Sequence, residues 1–259
     1  MRKTFVVAAA ALTLAALSAA PVWAQSSGNF AAEISTIACD VDDVDGTLTG
    51  GSCFAGPVTQ DDPTANCVKV LDTTIKTPNS GQTALLIGGS LGTGIYTKTK
   101  STGKDTTSST STAHGVIIVN VDICQDTNGD GVIDPPGGGD TCSSVAPDTG
   151  SGVVFDERFQ QLTVKLDSLI DSCEADPATC EPESVELLLS TLSMHHSNFV
   201  TPAGVGGGLH RVIMTVTGAA SASADADNSA VAAVCAGPGV LSVQQVKAFS
   251  QSGGIDIAP

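Results

Sequence analysis

The hydrophobic pattern of this 259-residue chain consists of short β-branched and alternating runs, which predict strands with no recurring helix between them. Residues 113–124 (AHGVIIVNVDIC) form the clearest run, because their nearly continuous Val and Ile are typical of a strand buried on both faces. Residues 209–216 alternate, so His210 and Arg211 should lie on opposite faces. Residues 185–200 are compatible with a helix, but the surrounding pattern favours a strand. Further strands are predicted at 68–75, 83–87, 153–155, 159–166, 231–235 and 240–249.

Clusters of Gly, Pro, Asn and Ser separate these runs, and no repeat of fixed period is present. Many short strands joined by turns indicate an all-β fold, an antiparallel β-sandwich of Greek-key or jelly-roll type with long loops. We divide the chain into a signal peptide (1–24), an N-terminal extension with an acidic loop (25–66) and a β-sandwich domain (67–259). The Thr, Ser and Lys residues of 97–112 predict either a long exposed hairpin or a flexible loop.

The first 24 residues have the three parts of a secretory signal peptide. Arg2 and Lys3 supply the positive charge, residues 5–20 form an apolar core, and Val22-Trp23-Ala24 is a small-residue cleavage site. The apolar run is shorter than the ~20 residues that a membrane-spanning helix needs. We therefore expect cleavage after Ala24 and export of a soluble protein to the periplasm or the cell exterior.

The chain is strongly acidic, with 27 Asp and Glu against 11 Lys and Arg and a formal net charge of -16. Removal of the leader takes away Arg2 and Lys3 and no acid, which changes the net charge to -18. Such a surface repels nucleic acid and anionic lipid and attracts cations. The one Tyr is Tyr96 and the one Trp lies in the leader, so aromatic platforms for sugars or bases are scarce. We expect a protein or surface partner, without nucleic acid, membrane insertion or carbohydrate.

The eight cysteines all follow the leader, and no two of them form a C-x-x-C pair. In an oxidising compartment, an even number of cysteines favours disulfides over metal thiolates. Spacing along the chain predicts that Cys124 bonds to Cys142, Cys173 to Cys180 and Cys39 to Cys53, which leaves Cys67 and Cys235.

Residues 126–137 (DTNGDGVIDPPG) carry the sharpest chemical signal, because they resemble the first part of an EF-hand or dockerin calcium loop. The resemblance implies a structural Ca²⁺ held by Asp126, Asn128, Asp130, the Val132 carbonyl and Asp134, with Asp140 completing the shell. Gly137 stands where those families place a bidentate acid, and Pro135-Pro136 prevents the usual exit helix. The alternative is an acidic, glycine-rich hairpin tip that binds no ion.

The whole layout also resembles a set of exported bacterial β-sandwich proteins that have no assigned activity. The resemblance is carried by the Thr/Ser/Lys segment before a Val/Ile strand, by Gly-Gly-Leu-His-Arg-Val at 207–212, and by the closing run 240–249. It implies a fold and export, and no chemistry.

Other residues suggest catalysis, but each has a simpler structural interpretation. Gly88-Gly89-Ser90-Leu91-Gly92 matches the nucleophile motif of hydrolases, which works where a strand turns into a helix. No helix pattern follows Ser90, so we interpret the motif as a glycine-rich bend between two strands. The four histidines (His114, His195, His196 and His210) are candidate metal ligands, but neighbours on a strand face opposite sides. We expect the acid pairs Asp61-Asp62 and Asp156-Glu157 to be solvated.

These observations favour an exported, non-enzymatic β-sandwich that serves as a surface, matrix or interaction protein with a calcium-stabilised loop. Two alternatives stay open. One is a secreted enzyme, either a hydrolase with Ser90 as nucleophile or a His-ligated metal enzyme, and the other is an extracellular ligand-binding module.

Overall fold

Twelve strands and no helix make up the described part of the chain. The computed structural model describes residues 30–42, 47–78, 83–103, 108–147, 151–164, 183–201, 205–226 and 228–247. The predicted signal peptide and the predicted bond between Cys173 and Cys180 lie outside these residues. In chain order the strands are β1 (Phe30–Ser35), β2 (Cys39–Val41), β3 (Leu48–Gly50), β4 (Cys53–Thr59), β5 (Thr64–Thr77), β6 (Thr83–Gly103), β7 (Ser109–Gln125), β8 (Thr141–Ser144), β9 (Val153–Val164), β10 (Glu183–Val200), β11 (Gly208–Ala224) and β12 (Ser229–Lys247).

The strands form two five-stranded antiparallel sheets that enclose one core, which confirms the predicted all-β sandwich. In the first sheet the order is β1-β12-β6-β10, and β4 shares with β1 the outer side of β12. In the second sheet the order is β5-β11-β7-β8, and β9 shares with β8 the outer side of β7. A small hairpin of β2 and β3 stands apart from both sheets.

The described residues between 30 and 66, which we expected to form an extension, contribute to the sandwich itself. β1 pairs with β12 from Phe30 to Ser35, β4 pairs with another part of β12, and β5 begins at Thr64 in the second sheet. Their short alternating segments are too weakly patterned to be recognised as strands in the sequence. Within the described residues, no helix is long and apolar enough to cross a membrane.

Large apolar side chains fill one end of the sandwich, and small or polar side chains fill the other. Leu85, Ile87 and Met214 belong to the large cluster, and none of their side chains is exposed. At the other end the buried cluster consists of Val58 and five alanines: Ala113, Ala220, Ala222, Ala230 and Ala232. The sheets approach closely between these ends, because a Cβ built on Gly115 would lie 2.6 Å from Cγ1 of Val234.

The segment 97–112 is neither an exposed hairpin nor a loop as a whole, which corrects our expectation. Its first part continues β6 in the first sheet, and its last part begins β7 in the second sheet. Thr97, Thr99 and Ser101 point into the sandwich and are fully buried. Polar side chains can lie there because partners on β9 satisfy their hydroxyl groups.

The predicted bend at residues 88–92 is also wrong, because β6 runs through it without interruption. The glycines serve close packing instead of a turn. A Cβ on Gly89 would lie 2.8 Å from the sulfur of Met214, and one on Gly88 would lie 2.7 Å from Oγ of Ser242. At these positions, glycine allows side chains of nearby strands to pack directly against the backbone of β6.

Three disulfides connect the described chain. The predicted bond between Cys124 and Cys142 is confirmed. The predicted bond between Cys39 and Cys53 is wrong, since Cys39 bonds to Cys235 and Cys53 bonds to Cys67.

The strand topology explains why the Cys39 prediction is wrong, because cysteines that are close in sequence can lie far apart in a β-sandwich. Cys39 begins the hairpin that covers Tyr96 and β12, where Cys235 lies. Cys53 begins β4 in the first sheet, and its bond to Cys67 on β5 ties that sheet to the second.

Candidate functional site

The acidic loop connects β7 to β8 and is closed at its base by a disulfide. Cys124 and Cys142 are directly opposite in the strand pairing, with their Cα atoms 4.1 Å apart. Inside the loop, Ile133 is buried against Cys124, and its carbonyl accepts a 3.0 Å hydrogen bond from Nη1 of Arg211. The loop is thus anchored to the second sheet at both its base and its middle.

Asp126 organises the first turn of this loop. Its carboxylate accepts hydrogen bonds from the N–H groups of Gly129 at 2.7 Å and Gly131 at 3.0 Å. Both glycines have positive φ values, 78° and 81°, which side-chain-bearing residues rarely adopt. The sequence D-x-x-G-x-G therefore encodes a turn that wraps around one carboxylate.

Asp140 enters the same loop from beyond the glycine run. It accepts hydrogen bonds from the N–H groups of Thr127 and Asp134, each at 2.8 Å, and from Asn128 at 3.3 Å. The bond from Asp134 and then the bond from Thr127 favour the charged form, so the pKa of Asp140 lies below its ordinary value. The carboxylate of Asp140 is thus held by three N–H groups of the loop, and its role as a calcium ligand stays a prediction.

The remaining polar side chains of the loop also accept hydrogen bonds from its own backbone. Asn128 Oδ1 accepts from Asp130 N at 2.9 Å, Asp130 Oδ1 from Val132 N at 2.8 Å, and Asp134 Oδ2 from Gly139 N at 2.9 Å. In the described part of the chain, no three Asp, Glu, His or Cys side chains form a group that could hold a metal ion. All six predicted ligand residues thus lie in one loop, and each of the five polar side chains accepts a hydrogen bond from a backbone N–H group.

A second polar constellation lies on the outer surface of the first sheet. Ser90 Oγ is 2.8 Å from Nδ1 of His196, and Nε2 of His196 is 3.1 Å from Oδ1 of Asn198. Since Asn198 Oδ1 can only accept, Nε2 carries the proton and Nδ1 accepts from the Ser90 hydroxyl. This chain of hydrogen bonds can withdraw a proton from Ser90.

Its surroundings are poor for acyl transfer. Ser90 lies within β6, a strand that is paired on both sides, with β10 and with β12. The N–H groups of such a strand are engaged in the sheet, whereas an oxyanion needs donors aimed at it.

A third constellation lies between the sheets. Oδ2 of Asp156 is 2.7 Å from Oγ1 of Thr93, 3.4 Å from Oγ of Ser193 and 3.6 Å from Nε2 of His195. Ser193 Oγ is 2.9 Å from that same Nε2. Because the hydroxyl and the carboxylate share one ring nitrogen, the imidazole does not relay a proton between them as in a catalytic triad.

The histidines are separated in space. His195 points inward and His196 outward, as expected for neighbours on a strand. His114 pairs with Glu157 at 3.0 Å on the outer face of the second sheet. His210 is buried, with Nε2 bonded to Thr77 and Gly206 and with Nδ1 lacking a partner. Of the acid pair 156–157, which we expected to be solvated, Asp156 instead points into the sandwich, because Thr93 and Ser193 offer it hydroxyl groups there.

A shallow pocket of about 230 Å³ is lined in part by Thr93 and Ser193 of the third constellation. Its lining also includes Gly92, Leu192, Met194 and Pro238. A side chain on Gly92 would fill it, because a Cβ there would lie 3.1 Å from Cδ of Pro238. The pocket is mainly apolar and could take a small hydrophobic group.

An apolar row crosses the outer face of the second sheet. Val68 of β5 pairs with Thr217 of β11, Thr217 pairs with Ile118 of β7, and Ile118 pairs with Val154 of β9. Val68 is 62% exposed, and Phe159, which lies farther along β9 from Val154, is 63% exposed. We call Val68, Val70, Ile118, Val154, Phe159 and Thr217 the outer strip. The sequence pattern did not show which strands are neighbours, so it could not show that these side chains share one outer face.

Comparison with known proteins adds no further assignment. No family model matches the chain, and no curated protein matches it.

Proposed function

We propose that this chain is an exported, non-enzymatic surface, matrix or interaction protein, with the outer strip as its contact surface and a calcium-stabilised acidic loop. The observation that carries the proposal is the row from Val68 to Val154, which spans four strands of the outer face and has exposed apolar side chains at both ends. Contiguous exposed apolar patches on soluble proteins mark interaction sites.

The composition of the strip suits a flat partner. Its β-branched side chains have few rotamers to lose, so ordering them against another surface costs little entropy. A chain of net charge -16 would otherwise repel acidic surfaces, and the apolar strip offers contact that does not depend on charge. The three disulfides of the described residues suit an oxidising location outside the cytoplasm.

The strip can be tested by substitution on intact cells of the producing organism. We expect purified wild-type protein to be retained on the cell envelope, and Val68→Asp with Phe159→Asp to abolish retention without changing the melting temperature. Thr64→Asp with Thr74→Asp is the matched control, because it adds the same two charges at exposed positions of β5 outside the strip. Equal loss in the control, or no retention of the wild type, would contradict the proposal.

Calcium is proposed for the acidic loop on its donor chemistry. Asp126, Asp130, Asp134 and Asp140 supply hard carboxylate oxygens, Asn128 supplies an amide oxygen, and Val132 a carbonyl. A carboxylate has about four lone-pair sites, so one that accepts an N–H bond keeps capacity for a cation. The bound ion would hold the loop together and take part in no reaction.

A second candidate function, a hydrolase with Ser90 as nucleophile, is favoured by the hydrogen-bonded chain of Ser90, His196 and Asn198. The test is labelling of the folded protein with a serine-reactive phosphonate, followed by peptide mapping. Our proposal expects no stoichiometric label. Labelling at Ser90 that is lost in His196→Ala would make the hydrolase the better assignment.

A further inference from the structure

One edge of the first sheet is long and unprotected in the described structure. β10 pairs with β6 over eighteen residues without a register shift. On its other side, the described residues provide only one bridge, between Ala146 and Val200 at its end. Edge strands expose unpaired N–H and C=O groups, and proteins usually block them with charge, proline or a bulge.

The edge strands β5 and β9 carry several such devices, whereas β10 offers only two acids, Glu183 and Glu186. β5 contains Lys69 and Lys76, and the Glu33 carboxylate accepts a hydrogen bond from the backbone N–H of Asp72 in the same strand. β9 has Arg158 and a register shift opposite Ile117 and Ile118. β10 contains no proline, lysine, arginine or glycine.

Exposed apolar side chains accompany this open edge. Leu187, Leu188, Leu189, Leu192 and Met194 are each at least 38% exposed, and Met194 is 66% exposed. The one acid among residues 184–200 is Glu186, which is paired with Lys98 at 3.0 Å. In a chain with 27 acidic residues, the apolar part of β10 is a surface where two copies can meet without charge repulsion.

The hydrogen bonds at the end of β10 show which of its backbone groups point away from β6. Val200 N–H donates to Ala146, away from β6, whereas Thr201 N–H donates to Leu85 on the β6 side. In a strand, the backbone N–H and C=O groups of successive residues point alternately to the two sides of the strand. The backbone groups of Leu188, Ser190 and Leu192 therefore face the open edge.

We propose that β10 pairs antiparallel with β10 of a second copy, joining the two first sheets into one continuous sheet. An antiparallel pair of identical strands is self-complementary about a twofold axis. With the axis at Ser190, Leu188 lies opposite Leu192 of the second copy, and Glu186 lies opposite Met194. The leucines of both copies then meet, and no two acids are opposed, as cross-strand pairing requires. This interface is separate from the outer strip on the second sheet.

The test is the oligomeric state of the mature protein by sedimentation equilibrium over a range of concentrations. We expect a wild-type dimer, and we expect Leu188→Lys with Leu192→Lys to raise the dissociation constant at least ~10-fold, because like charges become opposed across the axis. Val68→Lys with Val70→Lys is the matched control, and it should leave dimerisation unchanged.

Unchanged circular dichroism in all variants separates loss of pairing from loss of fold. A wild-type protein that is monomeric at every concentration overturns the proposal. This holds even if β10 pairs with a strand of another protein. Dimerisation that survives the β10 substitutions but is lost in the control overturns it as well, and assigns the contact to the outer strip.

Discussion

Thr97 donates a 2.6 Å hydrogen bond through Oγ1 to Oε1 of Gln160, across the space between the two sheets. Both side chains are buried. Nε2 of Gln160 donates in turn to Oγ1 of Thr99 and to the carbonyl of Leu187, each at 2.7 Å. One glutamine of β9 thereby holds β6 and β10 together, and both N–H donors of its amide group are used.

Thr97→Val tests this bond, because valine keeps the shape of threonine and removes the donor. Gln160 would keep a buried oxygen without its partner, so we expect the free energy of unfolding to fall by about 1–3 kcal/mol. Urea denaturation measures the change. Thr74→Val, at an exposed position, is the control and should change the value by less than about 0.5 kcal/mol. Equal effects at both positions would show that the bond contributes nothing specific.

Gly115→Ala tests the close approach of the sheets. The added Cβ would meet Val234 Cγ1 at 2.6 Å and Ile95 Cγ2 at 3.0 Å, and both side chains are held by the core. We expect a destabilisation of about 1–3 kcal/mol from overpacking. Gly206→Ala is the control, because the nearest heavy atom there is the side chain of Gln125 at 3.7 Å. A Gly115→Ala protein with the same melting temperature as the wild type would show that the two sheets can move apart there without loss of stability.

Peptide mapping without reduction should recover the three linked pairs of the described residues, Cys39 with Cys235, Cys53 with Cys67 and Cys124 with Cys142. Cys124→Ser with Cys142→Ser opens a loop of 18 residues and should cost about 3 kcal/mol in the chain-entropy model. Denaturant unfolding of the double variant measures this loss. Recovery of an alkylated Cys124 from the wild type would contradict the assignment.

Asp140 should make the loop sensitive to acid. Its pKa is lowered below 3.8 by the hydrogen bonds from Asp134 and Thr127, so its charged form contributes stability that is present above pH 3.8. That contribution should be lost as the pH falls through the lowered pKa. Carboxyl titration by NMR should give Asp140 a midpoint below 3.8, and Asp140→Asn should unfold less steeply with acid than the wild type. A midpoint above 3.8 would contradict the hydrogen-bond pattern.

Calcium should raise the melting temperature. Without an acid at the twelfth loop position, the dissociation constant should be weak, on the order of 10⁻⁴ to 10⁻³ M. At ~100 times that concentration, binding to the folded form alone adds about 2.7 kcal/mol. Asp130→Ala should abolish the rise, whereas Asp61→Ala, an exposed acid outside the loop, should preserve it. No heat of binding in calorimetry and identical melting in chelator would identify the loop as an acidic turn.

The sequence predicted the sheet class and several strands because burial imposes a pattern on them. Residues 113–124 lie within β7 and residues 209–216 within β11, and both strands are central in the second sheet. The acidic loop and its closing disulfide were also predictable, because their residues are local in sequence.

What the sequence could not predict depends on contacts between distant residues. The hydroxyl groups of Thr97 and Thr99 look solvated in the sequence, and only Gln160, more than sixty residues later, makes their burial possible. The pairing of Cys39 with Cys235 spans 196 residues, and the alignment of Ser90 with His196 depends on the register of β6 and β10.

β12 has a consequence for the order in which the molecule can be assembled. This last described strand is the centre of the first sheet, where it pairs with β1, β4 and β6. A growing polypeptide that ends before β12 leaves those strands without their shared neighbour, and Cys39 without Cys235. Since pairing over such sequence separations is slow, the first sheet completes only after ribosomal synthesis has delivered this strand.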